Sequence, residues 1–171
     1  MIRAELEERI VEDSTSIIEV SIDDRAKDLY PKGVEDLTPA TCGSIGYDLK
    51  ADLDTTEIMI APGERYTIST GIHIQPKKTN PITIAGFLYS RSGLGTKTGL
   101  VVAQGVGVID PDYTGSIKVC LLNTSQMTAV VHRGDKIAQL VFHVVHTPIL
   151  SIVDTLIPTS RGDGGFGSTG V

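Results

Sequence analysis

Tryptophan is absent from this chain of 171 residues, and the aromatic fraction is only 5%. A tryptophan-fluorescence readout would therefore need an introduced reporter. Cysteine is nearly absent as well. Cys42 and Cys120 are the whole supply, too few for a disulfide framework, and reduced thiols in a cytoplasmic protein are the economical reading. No apolar run approaches the length that spans a bilayer, and residues 1–15 are too acidic to read as a signal peptide. Positive charge is also short. Lys and Arg total 15 against 21 Asp and Glu, a formal net charge of −6, which argues against non-specific nucleic-acid binding. An acidic protein can still hold a polyphosphate where arginines and backbone amides supply local positive potential. No internal repeat is visible.

What the chain has in abundance is turn chemistry and β-branched residues. Eighteen glycines and eight prolines punctuate short apolar segments, a pattern of many strands and many turns. Strands are expected at 16–22, 58–61, 66–74, 82–88, 100–103, 116–122, 129–132, 137–145 and 149–153, with one short helical turn near 93–97. That spacing predicts an all-β fold, a distorted jelly-roll sandwich or barrel with one short helix. At this length one domain is expected, here residues 16–158. Residues 1–15 stand apart: Ile2, Leu6 and Ile10 fall at i, i+4 and i+8, which suits a short amphipathic helix or a frayed tail. Residues 159–171 are glycine-rich without apolar period and read as a mobile C-terminal arm.

The segment Gly105-Val106-Gly107-Val108-Ile109-Asp110-Pro111-Asp112-Tyr113-Thr114-Gly115 organises the rest. Apolar residues alternate up to Ile109 and resume as Ile117, Val119 and Leu121, with Pro111-Asp112 suited to a tight turn between them. This predicts a β-hairpin carrying one carboxylate, Asp110, at the end of its apolar arm. Glycines without Cβ atoms let the backbone approach a flat ligand, and Tyr113 can close one side. The plainer alternative is an ordinary hairpin with a solvated turn.

Its company favours the functional reading. Gly46-Tyr47-Asp48-Leu49-Lys50-Ala51, Ser90-Arg91-Ser92-Gly93-Leu94-Gly95, Gly107-Val108-Ile109-Asp110, Gly134-Asp135-Lys136-Ile137-Ala138-Gln139-Leu140 and Arg161-Gly162-Asp163-Gly164-Gly165-Phe166-Gly167-Ser168-Thr169-Gly170 occur in this order. Together they resemble the five motifs of the trimeric dUTP pyrophosphatases (dUTPases), from about residue 16 to the C-terminus. The resemblance implies hydrolysis of dUTP to dUMP and pyrophosphate, which limits uracil in DNA and supplies dUMP for thymidylate synthesis. It also implies a homotrimer with active sites shared between subunits.

It implies roles as well. Asp110 is the general base for a water attacking the α-phosphorus, its pKa raised by a semi-buried setting. The backbone of Gly107, Val108 and Ile109 reads uracil, with Gln104 as a polar contact to the base. Tyr113 packs under the deoxyribose and blocks a 2′-hydroxyl. Arg91, Ser92 and Gly93 cradle phosphate oxygens through a guanidinium, a hydroxyl and free amides at a helix start. Gln139 donates to the α-phosphate region, and Lys118 is counted among the substrate-binding residues. In the arm, Phe166 lies over the uracil, while Arg161, Gly167, Ser168 and Thr169 close on the β- and γ-phosphates. Asp48 either holds a water on the metal, from its second coordination shell, or orients a phosphate-binding group. Mg²⁺ is expected to bind chiefly through phosphate oxygens and water, without a tight protein site. Zinc is not expected: His143 and His146 are three apart on a strand and face opposite sides, and His73 and His132 lack ligand-spaced partners.

One departure from the family pattern is Ser90, where proline or alanine is common, which suggests a looser local backbone. The competing enzyme class, dCTP deaminase, shares the fold but carries a different arginine–serine stretch and a catalytic glutamate. A regulatory protein that keeps the nucleotide pocket as a switch is a second alternative, hinted at only by residues 1–15.

Overall fold

Period-two alternation decides which side chains turn inward. In Lys118–Asn123 it buries Val119, Leu121 and Asn123 and leaves Lys118 in solvent. The computed structural model describes residues 17–37, 39, 41, 43–76 and 83–165. Among these the chain is all-β with one short helix. The strands are β1 (Ile18–Ile22), β2 (Tyr47–Lys50), β3 (Glu57–Ile60), β4 (Arg65–Ser69), β5 (Ile72–Pro76), β6 (Thr83–Tyr89), β7 (Leu100–Val102), β8 (Gly107–Ile109), β9 (Lys118–Asn123), β10 (Ala129–His132) and β11 (Lys136–Val145), with helix α1 (Ser92–Thr98) after β6. Two 3-10 turns, Asp24–Ala26 and Gly33–Leu37, follow β1.

All pairings are antiparallel. The sheets run β2-β11-β6-β8, β4-β9-β7, β1-β5 and β10-β3, an arrangement of small sheets around one core that suits a distorted jelly roll. Leu49, Leu88, Ile117, Val119, Leu121, Ile137 and Leu140 fill that core. No helix among the described residues is long and apolar enough to cross a membrane.

Three expectations need correction. The segment expected as one strand over 66–74 is two, because Gly71 lies between β4 and β5 at φ 67. A side chain there would be strained and would also collide with Ala26. The break sends β4 to β9 and β5 to β1. Second, Gly107–Leu121 is not a hairpin. β8 pairs with β6 and β9 pairs with β4 and β7, so the turn at Pro111 carries the chain from one sheet to another. Third, no strand forms over 149–153. Ile149, Leu150 and Ile152 are almost wholly exposed. The expected extension at 1–15 lies outside the described residues.

An ion cluster ties the first 3-10 turn to the sheets. The buried carboxylate of Asp52 accepts from Arg25 Nε at 2.7 Å and Arg133 Nη2 at 3.4 Å, and Arg133 also binds Asp28. Asp52→Ala should cost on the order of 2 kcal/mol, the worth of hydrogen bonds to charged groups. The full buried-pair penalty is not expected, since both arginines reach solvent and keep a second carboxylate. A fall in the urea midpoint at unchanged slope is the expected reading.

Candidate functional site

The sheet β2-β11-β6 aligns Asp48, Gln139 and Tyr89 directly across three strands. Neighbours on the other face, Leu49, Leu88 and Leu140, go into the core, so alternation delivers Asp48 and Gln139 to the outer side. Arg91 follows β6 by two residues. Its Nε donates to Asp48 Oδ1 at 2.7 Å and its Nη1 to the Lys136 carbonyl at 3.3 Å. Lys136 Nζ donates to Asp48 Oδ2 at 2.8 Å. A register shift between Lys136 and Ala138 breaks the alternation just before Gln139, the usual way a bulge re-aims a side chain. Lys136 was not singled out from sequence, although it lies inside the motif with Gln139; only the bulge decides where it points.

Burial pushes the Asp48 carboxyl up, but hydrogen bonds from Lys136 and Arg91 and their charges outweigh it and hold the pKa below 3.8. A carboxylate depressed in the folded state stabilises the fold above its unfolded pKa, and that stabilisation is lost as pH falls through the lowered value. The stability gap between wild type and Asp48→Asn should therefore be full at neutral pH and shrink below about pH 4. Urea titrations across that range would measure it. Both Asp48 oxygens are engaged by cations, so the carboxylate orients Arg91 in the arrangement seen. Among the described residues no group of three or more His, Cys, Asp or Glu is placed to hold a metal ion, and each Asp48 oxygen accepts a hydrogen bond from a cationic side chain.

Gln139 Nε2 donates to the Ser90 carbonyl at 3.1 Å. Gly46 makes that placement possible, because a Cβ on it would run into the Gln139 amide oxygen. Ser90 does not loosen its block. Its hydroxyl accepts from the Val102 amide at 2.8 Å and ties the turn to β7. Helix α1 begins at Ser92, with the Gly95 amide donating to the Arg91 carbonyl at 2.9 Å. The first-turn amides of Ser92, Gly93 and Leu94 are left without intrahelical acceptors, and Ser92 and Gly93 are exposed.

The Asp110 group is elsewhere. Asp110 directly follows β8 and is exposed rather than half-buried. Its carbonyl accepts from the Tyr113 amide at 3.0 Å, and Tyr113 Oη donates to the Ser116 carbonyl at 3.0 Å. The tyrosine ring lies against Gly115. Gln104 sits with its amide over Gly107, Val108 points outward and Ile109 inward. Lys118 begins β9 level with Ser69. Arg161 is exposed and donates from Nε to the Gly164 carbonyl at 3.0 Å. Phe166, Gly167, Ser168 and Thr169 lie outside the described residues.

One chain thus brings Asp48, Arg91, Lys136 and Gln139 together, and separately Gln104, Gly107, Asp110 and Tyr113. Ile109 pairs with Gly86, so Asp110 stands level with Ala85, and Arg91 lies two residues past the far end of β6 at Tyr89. From Ala85 to Tyr89 the strand spans about 13 Å at roughly 3.3 Å per residue.

An all-β chain with an arginine and open amides at a helix start, and a lone carboxylate at a strand end, has the parts of a phosphate-ester site in two halves. The dUTPase family model matches residues 32–170. The chain belongs to the dUTPase family. It is 44% identical over 154 residues to a deoxyuridine 5′-triphosphate nucleotidohydrolase of Desulfitobacterium hafniense, covering 90% of this chain and 97% of the relative. A relative of the same description from Thermobifida fusca is 48% identical over 125 residues, or 72% of this chain and 68% of the relative. Among solved structures, a variant dUTPase of Staphylococcus bacteriophage 80alpha with dUpNHpp superposes with a TM-score of 0.73, covering 92% of this chain and 100% of that one. At 23% identity this likeness speaks for the fold alone.

Proposed function

We propose that this chain hydrolyses dUTP to dUMP and pyrophosphate as a homotrimer with active sites shared between subunits. Asp110 takes a proton from a water attacking in line at the α-phosphorus. Arg91, held in place by Asp48 and Lys136, meets phosphate oxygens together with the Ser92 hydroxyl and first-turn amides. Gln139 adds an amide donor. Gln104 and the backbone of Gly107–Ile109 read uracil, Tyr113 excludes a 2′-hydroxyl, and Arg161, Phe166, Gly167, Ser168 and Thr169 close the site. Magnesium enters on the triphosphate, as part of the substrate, because it keeps water and phosphate oxygens in preference to a protein cage. The enzyme is expected in the cytoplasm.

The distance between Asp110 and Arg91 carries the shared-site reading. A base and a phosphate clamp must surround one phosphorus, and their placement toward opposite ends of β6, about 13 Å of strand, supports drawing them from different chains. The apolar residues of 149–157, exposed and unpaired, favour the same conclusion, since burial on a neighbouring subunit would remove them from water.

Mixing two inactive variants tests the proposal. Asp110→Asn and Arg91→Gln, each with almost no pyrophosphate release from dUTP, should recover activity when unfolded and refolded together, because some sites then draw an intact Asp110 and an intact Arg91 from different chains. No recovery, with mixed oligomers present by mass spectrometry, would mean both residues act from one subunit. Selectivity is checked in the same assay with dCTP, dTTP and UTP.

A further inference from the structure

We propose that His73, as an imidazolium, is the positioning residue for the segment 110–117 and thereby sustains discrimination between deoxyribose and ribose. The proposal rests on the assignment of sugar reading to Tyr113.

His73 lies on β5, level with Ser21 of β1. Its Nδ1 is 2.8 Å from the Thr114 carbonyl and its Nε2 is 3.0 Å from Asp23 Oδ1. A carbonyl and an ionised carboxylate are both acceptors, while a neutral imidazole carries one N–H. Only the doubly protonated ring donates to both. The charged groups around it favour that form. Asp23 and Glu19 face it from β1 and its continuation, β5 itself contributes the neutral Gln75, and the opposing segment presents the Thr114 carbonyl and carries Asp110 and Asp112. The bond to Thr114 raises the pKa of His73, burial works against this, and Asp23 reinforces the rise.

The position of that bond gives it consequence. Pairing of β8 with β6 secures the chain up to Ile109. At the far end, Ile117 donates to the Ile72 carbonyl at 2.8 Å and accepts from Thr70, while the hydroxyls of Ser116 and Ser69 meet at 3.0 Å. Between these anchors, bonds to residues 110–115 are internal to the segment, apart from the one from His73, which among the described residues is the only hydrogen bond arriving from outside. Asp23 is itself fixed, its amide donating to the Gly71 carbonyl at 2.8 Å. The result is a strut from the β1 edge through the imidazolium to the residue after Tyr113. It is complete below the pKa of His73 and loses a donor as pH rises through it.

Two readouts on the full-length protein test this. In NMR titrations the His73 ring should show a midpoint above the ordinary value of about 6.5, and Asp23→Asn should bring it down. In kinetics, the ratio of kcat/KM for dUTP over UTP should fall roughly tenfold as pH rises through that midpoint, the scale of one charge-assisted hydrogen bond. Effects of pH on steps common to both substrates cancel in this ratio. His73→Gln should show the low ratio at all pH values, and Asp23→Asn should move the step to lower pH. An ordinary His73 midpoint overturns the proposal. So does an unchanged ratio in His73→Gln where Tyr113→Ala collapses it. An unchanged ratio in Tyr113→Ala instead removes the sugar-reading role of that tyrosine, and the His73 midpoint and its dependence on Asp23 then decide the positioning role alone.

Discussion

Asp110→Asn should reduce dUTP turnover by about 10²–10⁴, the scale of losing a general base, with little change in stability or nucleotide binding. The structure gives the reason for that separation. Asp110 lies on the surface just after β8, and no described residue hydrogen-bonds its carboxylate. Its contribution to the turn is a backbone carbonyl, which accepts from Tyr113 and which asparagine keeps. Surface substitutions of this kind stay within about 0.5 kcal/mol. Asparagine also preserves shape, so uracil contacts through Gly107–Ile109 should persist. Only the capacity to accept a proton is lost. Single-turnover rates and equilibrium dUTP binding, measured side by side, separate the two effects. Retained turnover would take Asp110 out of the mechanism, and lost binding would give it a structural role instead.

A chain ending at Pro158 should fold as the full chain does, yet turn dUTP over roughly 10²-fold more slowly, the cost of a misplaced reacting geometry. The described part of the arm, 159–165, adds nothing to the core. Within it Gly162 donates to the Thr159 carbonyl and Gly164 to the Arg161 carbonyl, and Arg161 donates to the Gly164 carbonyl. None of residues 159–165 is buried, so the urea midpoint should hold. In the proposed mechanism the arm acts only with nucleotide present, when Arg161, Ser168 and Thr169 meet phosphate charge and Phe166 covers the base. Closure then expels water and fixes the triphosphate. Phe166→Trp supplies a reporter in a chain without tryptophan, and dUTP should change its emission. Full turnover in the truncated enzyme would reduce the arm to a tail.

Much of this architecture was readable from local pattern. The alternation through Ile117, Val119 and Leu121 predicted three side chains that are all fully buried, because a period of two is a property of the strand itself. The helix expected near 93–97 is Ser92–Thr98, ended by Gly99 at φ 74, the usual left-handed stop. The five motifs likewise pointed to the dUTPase family, whose model matches residues 32–170, since each motif is contiguous and carries its own chemistry.

Partnership was not readable. Asp110 and Tyr113 looked like the turn of a hairpin, but β8 and β9 belong to different sheets, and pairing across long separations leaves no mark in a short window. Ser90 looked like a loosened position until Val102, twelve residues on, supplied the amide its hydroxyl accepts. Lys136 and His73 carried no local signal at all: one acquires its role from a bulge in β11 and the other from a carbonyl that the fold brings across from residue 114. By itself the sequence determined the strand-rich class, the inward faces and the chemical parts of the site, because these depend on residue type and short spacing. Only the tertiary structure decided that Asp48 holds Arg91, that His73 braces the Tyr113 segment and that Asp110 and Arg91 stand far apart on one chain. Those facts follow from strand register, which is set by long-range packing and not by any local stretch of residues.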